Sequence, residues 1–163
     1  MAAIRASGLL DALADFQPIV VSTILVGLDI DGSDIDVACC YADRDTFAAS
    51  TDRLVRGFAN ASCEARSDHV VARFDFHEFQ FEIYGSPIPI DEQFGVRHFR
   101  VMQRLVDIGG LPFQDQVRRL KQQGLKTEPA IAAVLQLKGD PYLAAAELDR
   151  LADDELMLLL QRA

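Results

Sequence analysis

The stretch Gly32-Ser33-Asp34-Ile35-Asp36-Val37-Ala38-Cys39-Cys40 decides how the rest of the chain is read. Its second half is a short apolar run of the kind that forms a buried strand. Asp34 and Asp36 stand at its mouth, and because side chains alternate with period two along a strand, both carboxylates point to one face. Two such carboxylates can share a metal ion. Gly32 and Ser33, just before them, offer an exposed amide and a small hydroxyl, the groups a phosphate-handling turn uses.

Upstream, Leu9, Leu10, Leu13 and Phe16 follow helical spacing after Ser7, a good N-cap, and Pro18 ends that helix. Ile19 to Val21 reads as a buried strand, and residues 22–33 as an irregular connection holding Gly27 and Gly32. Downstream of the strand at 35–40, the spacing predicts a helix from Asp45, with Phe47, Leu54, Val55 and Phe58 inward and Asn60 and Ser62 at its end. Val71, Phe74 and Phe76, then Phe79, Phe81 and Ile83, alternate with polar positions, which predicts a hairpin turning at His77-Glu78. The phenylalanines are core; Gln80, Glu82 and Tyr84 share the opposite face.

Gly85-Ser86-Pro87-Ile88-Pro89 breaks the sheet pattern and marks the junction between an α/β half, residues 1–90, and a helical half, residues 91–163. In the second half, Phe94, Phe99, Met102, Leu105 and Val106 mark a helix ended by Gly109-Gly110, and Phe113, Val117 and Leu120 mark another ended by Gly124. Thr127-Glu128-Pro129 starts a third that Gly139 stops, Asp140-Pro141 starts a fourth, and Asp153-Asp154 a last one. The fold class is therefore α+β, a sheet with flanking helices followed by a C-terminal helical region.

At 163 residues the chain can bury a self-sufficient core, and 50% hydrophobic with 25% charged residues is ordinary globular composition. The longest apolar stretch, Pro18 to Leu28, is too short to span a membrane. Arg5 is the lone positive residue at the N-terminus, and Asp11 and Asp15 follow it, which argues against a signal peptide and for a cytoplasmic protein. Cys39 and Cys40 point apart on their strand, Cys63 has no spaced partner, and His69, His77 and His98 form no zinc signature.

The net charge of −9 argues against a protein that binds bulk nucleic-acid backbone. Residues 97–126 nevertheless carry a local basic excess. Arg97, Arg100 and Arg104 share a helical face, with two readings open: contact with phosphate or an acidic partner, or a solvated face with salt bridges. Lys126, at a helix start where a cation has no electrostatic preference, has the clearer claim to a ligand. A calcium loop over Asp29, Asp31, Ser33 and Asp34 fails because Cys40 stands where the bidentate carboxylate belongs.

Ser22-Thr23-Ile24-Leu25-Val26-Gly27, five more residues, then Ser33-Asp34-Ile35-Asp36-Val37 together resemble the nucleotidyltransferase superfamily, the polymerase-beta-like fold. The resemblance implies a nucleotidyltransferase-like mixed sheet and a nucleotide site in which Ser22, Thr23, Gly32 and Ser33 belong to phosphate-holding turns. It implies that Asp34 and Asp36 bind Mg2+ (or Mn2+), with Glu82 in the third-carboxylate place and Asp75 as its competitor. Arg97 and Lys126 join the site as phosphate contacts. Gly27 to Ala38, residues 81–85, Val96 to Phe99, and residues 124–130 through 137–142 are more closely similar to a bacterial nucleotidyltransferase-like family of unknown function.

The implied activity is transfer of a nucleotidyl group from a nucleoside triphosphate to a hydroxyl acceptor. One departure keeps a rival open: Ser22-Thr23 follows Val21 directly, where the superfamily turn begins with glycine. That rival is a non-catalytic nucleotide- or protein-binding module on the same scaffold, with a ligand-free interaction domain as a third option; a homo-oligomer fits any of them.

Overall fold

The computed structural model describes residues 2–162. The chain forms two compact units, one of residues Met1–Leu25 and Gly32–Val96 and the other of Val26–Asp31 and Arg97–Ala163.

The first is a sheet unit. Among the described residues, five strands form one mixed sheet in the order β1-β2-β5-β4-β3: β1 (Ile19–Val20), β2 (Ile35–Cys40), β3 (Ala59–Ala65), β4 (Val70–Phe76) and β5 (Phe79–Ser86). β2 and β5 run parallel, with Asp36 opposite Glu82; the other neighbours are antiparallel. The hairpin turns at His77-Glu78, as its alternation predicts, with Phe76 opposite Phe79.

One face of this sheet is the core. Ile35, Val37 and Cys39, Phe81 and Ile83, and Val70, Ala72 and Phe74 pack against α1 (Ala2–Ala6), α2 (Leu9–Ala12) and α3 (Arg44–Val55) through Ile4, Leu9, Leu13, Phe47 and Val55. Gly85 is what lets α3 lie close, since a Cβ there would sit 2.1 Å from Cε1 of Phe47. The opposite face carries Asp36, Glu82, Tyr84, Arg73 and Asp75 and is polar.

Several boundaries differ from the sequence reading. Ser7 is not the first cap of the N-terminal helix: α1 precedes it, and the Ser7 hydroxyl donates to Ile4 O at 2.8 Å and accepts from Leu9 N at 3.3 Å, so it both closes α1 and opens α2. Asn60 and Ser62 do not end a helix but lie in β3, an edge strand drawn out by pairing with β4. Val71 faces away from the core, since Val70 and Ala72 are the buried residues of β4.

The second is a helical unit. In α4 (Phe94–Gln122) the backbone leaves helical geometry at Gly110 (φ 58°, ψ −154°), a conformation a side chain disfavours, and Pro112 opens the continuation. α5 (Thr127–Val134), α6 (Pro141–Glu147) and α7 (Asp153–Arg162) follow, α6 capped by the Asp140 carboxylate, which accepts from Tyr142 N and Leu143 N. No helix among the described residues is long and apolar enough to cross a membrane.

Candidate functional site

The polar face of the sheet gathers the predicted carboxylates. Parallel register places Asp36 directly beside Glu82, one strand away, and antiparallel register places Arg73 on the far side of Glu82. Asp36, Glu82 and Arg73 thus form one row across β2, β5 and β4. Arg73 Nη2 lies 2.5 Å from Glu82 Oε2. Asp34, two residues before Asp36, belongs by alternation to the same face and is exposed. Asp75, opposite Gln80, stands two strands from β2, and its carboxylate accepts a hydrogen bond from Asn60.

Asp34 and Asp36 are held by backbone. The amide of Val21 donates to Asp36 O at 2.9 Å, extending the β1–β2 ladder. The Ser22 hydroxyl donates to Asp34 O at 2.8 Å and accepts from Ile24 N at 3.3 Å. Ser22 is wholly buried. Expected at a phosphate, its hydroxyl is instead spent on fixing the turn that presents Asp34. Thr23 opens a 3-10 turn, Thr23–Val26, and is half-buried. Gly32 and Ser33 border a cavity of about 340 Å3 completed by Asp75, His77, Glu78, Phe79 and Gln80.

Among the described residues, no group of three or more His, Cys, Asp or Glu converges on a common metal position. Asp34 and Asp36 remain a hard oxygen pair, and magnesium is commonly held by one or two carboxylates together with substrate phosphates. The donor chemistry therefore fits a magnesium ion brought with a triphosphate.

The basic residues are placed differently. Arg97 donates to Ala146 O at 2.7 Å and lies 3.5 Å from Asp149 and 3.8 Å from Glu147, with its side chain 17% exposed. Arg100 grips Asp149 with two bonds, at 3.2 and 2.8 Å, and Arg104 reaches Asp153 at 2.8 Å. The Arg97 expected at a phosphate thus serves the helical unit's own ion pairs, because α6 and the turn after it return acidic groups to the same face of α4. Bonds from Arg100 and the nearby guanidinium of Arg97 hold Asp149 below the usual carboxylate range against a smaller effect of burial.

His98 is buried between Glu128, 3.3 Å from Nδ1, and the carbonyl of Tyr142, to which Nε2 donates at 2.9 Å. Burial opposes its protonation, but these two bonds outweigh burial and raise its pKa. Lys126 is exposed at the N-cap of α5 and makes no ion pair among the described residues.

Two features escaped the sequence reading. The Arg73 partner of Glu82 was within reach, since a two-residue turn at 77–78 pairs 76 with 79 and so, counting outward, 73 with 82. The second is the anchoring of residues 26–31 within the helical unit. Gln114 Nε2 donates to Val26 O at 3.1 Å and Lys121 Nζ to Leu28 O at 2.6 Å. Nothing local in the sequence signals bonds across that distance.

Residues 2–148 match the family model DUF4269, a domain of unknown function. Among curated proteins none matches by sequence. The chain is similar in structure to a mutant of the Cid1 poly(U) polymerase bound to MgATP, with a TM-score of 0.59 and 14% identity over 85% of this chain and 42% of that one. It is also similar to a cytoplasmic RNA terminal U-transferase (0.59, 15%, covering 85% and 39%) and to the polymerase core of TRAMP, an RNA surveillance complex (0.54, 16%, covering 98% and 54%). The chain thus spans about half or less of the length of these relatives. At such identity the likeness establishes the fold alone, a polymerase-beta-like one.

Proposed function

We propose that this chain, which belongs to the DUF4269 family, is a metal-dependent nucleotidyltransferase that moves a nucleotidyl group from a nucleoside triphosphate to a hydroxyl acceptor. The observation that carries this reading is the in-register adjacency of Asp36 and Glu82 on parallel strands, with Asp34 two residues earlier on the same face. The match to chains described as bound to MgATP and MgGTP supports a nucleotide with a divalent cation as the ligand. On this reading residues 1–90 carry the chemistry and 91–163 form an accompanying helical domain.

Asp34 and Asp36, with Glu82 as the third carboxylate, would hold magnesium, or manganese in its place, and the ion when bound would supply charge neutralisation on the triphosphate. The chain's own groups do the rest. The Ser33 hydroxyl and the amides at Gly32 and Thr23 would donate to phosphate oxygens. The Glu82 carboxylate takes the proton of the acceptor hydroxyl as its oxygen bonds to the α-phosphorus, while the bond from that phosphorus to the bridging oxygen breaks and pyrophosphate leaves.

Two observations favour the non-catalytic module as a second reading. Glu82 is engaged by Arg73, and Ser22 stands buried where the superfamily places glycine. A thermal-shift panel of the four nucleoside triphosphates, with and without Mg2+, separates binding from its absence, since a ligand at a hundred times its Kd adds about 2.7 kcal/mol. Magnesium-dependent stabilisation that Asp34→Asn/Asp36→Asn abolishes is the expected result. Transfer of label from an α-labelled triphosphate, lost in Asp36→Asn, then supports catalysis; stabilisation without transfer to any acceptor leaves the binding module.

A further inference from the structure

The row Asp36, Glu82, Arg73 places two negative charges and one positive charge side by side across three strands. We propose that Arg73 is a latch on the third carboxylate: it occupies Glu82 when no cation is present and competes with a divalent cation for it. The affinity of the site for metal is then set by an arginine as well as by its acids. This inference rests on the nucleotidyltransferase reading of Asp34, Asp36 and Glu82.

The arrangement is a property of the ladder rather than of one side-chain rotamer. Directly opposed residues of an antiparallel pair hold their Cβ atoms about 5 Å apart, so Arg73 stays within reach of Glu82 as long as β4 and β5 pair. On its other side Glu82 faces Asp36, a second acidic side chain one strand away. The cation beside Glu82 is the Arg73 guanidinium. It leaves Glu82 by displacement when a divalent ion takes its place.

The strength of the pair suits a latch. Its side chains are 46% and 28% exposed, and an exposed pair of this kind shifts an equilibrium by at most about fivefold. That is enough to bias Glu82 and too little to withhold it from a divalent ion. Arg73 has no second ion pair among the described residues, unlike Arg100, whose fork is closed on Asp149 inside the helical unit. An arginine that braced the fold would be expected to resemble Arg100.

The test is a double-mutant cycle on Mn2+ binding without nucleotide, read by the electron paramagnetic resonance signal of free Mn2+. Wild type, Arg73→Gln, Glu82→Gln and the double variant are titrated as full-length chains, with Asp36→Asn as the site control. The latch requires Arg73→Gln to bind Mn2+ up to about fivefold tighter, and the gain to vanish in the Glu82→Gln background. A gain of equal size in both backgrounds reduces Arg73 to long-range charge and overturns the latch, as does the absence of any gain. If the wild type binds no Mn2+, or Asp36→Asn binds as the wild type does, the latch falls by itself; the nucleotidyltransferase reading falls separately, if no nucleoside triphosphate stabilises the chain in a magnesium-dependent way.

Discussion

The open face of the sheet and one face of α4 each carry a row of charged side chains, and the two rows have opposite economies of partner. On α4, Arg97, Arg100 and Arg104 meet Glu147, Asp149 and Asp153 of the same unit, and Asp149 is 16% exposed with two guanidinium groups upon it. On the sheet, Asp34 is exposed, and Asp36 and Glu82 stand as neighbours of like charge with Arg73 as the cation across the ladder. Charges closed within a unit hold its helices together. On the sheet, acidic side chains stand side by side on adjacent strands, the arrangement on which the proposed metal site rests.

The same chemical change should therefore act oppositely in the two rows. Asp149→Asn leaves Arg97 and Arg100 without their shared carboxylate and should cost about 2 kcal/mol of unfolding free energy. Asp36→Asn removes a like-charge neighbour of Glu82 and should change stability by less than about 0.5 kcal/mol. Urea titrations of both variants measure this, and equal losses would erase the distinction between brace and site.

A smaller effect sharpens it through pH. His98 is raised, so its contribution is fully present below about pH 6.5, the ordinary unfolded value, and is lost as pH rises through its folded value. Burial opposes ionisation of Glu128, yet the His98 bond and charge hold its pKa low; Asp149 is also low. Their contribution is present above about pH 4.5 and is lost as pH falls through the folded values. The helical unit should be most stable between these limits. Raising pH from 6 to 8.5 should lower Tm by about 2 °C, and Glu128→Gln should remove most of that fall. An undiminished fall in the variant would place the dependence on another group.

The smallest expected effect is at Lys126. Lys126 is exposed and has no ion pair among the described residues, so Lys126→Ala should leave stability within about 0.5 kcal/mol. Isothermal titration with MgATP then reads whether its charge serves a phosphate; unchanged affinity would remove it from the candidate residues.

What was legible in the sequence follows from where burial is one-sided. β2, β5 and the helices after Phe94 show clear apolar periodicity and sharp punctuation because each buries one face, and all lie where expected, although β5 runs on through Gly85 and Ser86 and α5 stops at Val134, short of Gly139. β3 resembles a helix end in the sequence because Ala59-Asn60-Ala61-Ser62-Cys63-Glu64-Ala65 is exposed almost throughout and carries no apolar alternation. Its extended form is imposed by β4, a case of pairing overriding local preference. The carboxylates were legible through motif spacing, and Glu82 through its position between Phe81 and Ile83. The side-by-side placement of Asp36 and Glu82 was not, because no local rule sets the register of parallel strands separated by a crossover. The ion-pair partners of Arg97, Arg100 and Arg104 were hidden for the same reason: each lies more than forty residues away.

The bonds from Gln114 to Val26 and from Lys121 to Leu28 span 88 and 93 residues. During synthesis, then, the segment between Ser22 and Ser33 leaves the ribosome long before its anchors exist. The sheet can begin to pair around it, but this segment reaches its final conformation after α4 has been made, and long-range closures of this kind slow folding. A fragment stopped at residue 96 would contain the whole sheet and still lack the groups that hold Val26 and Leu28, so the chain cannot be cut between its units without leaving that segment unanchored.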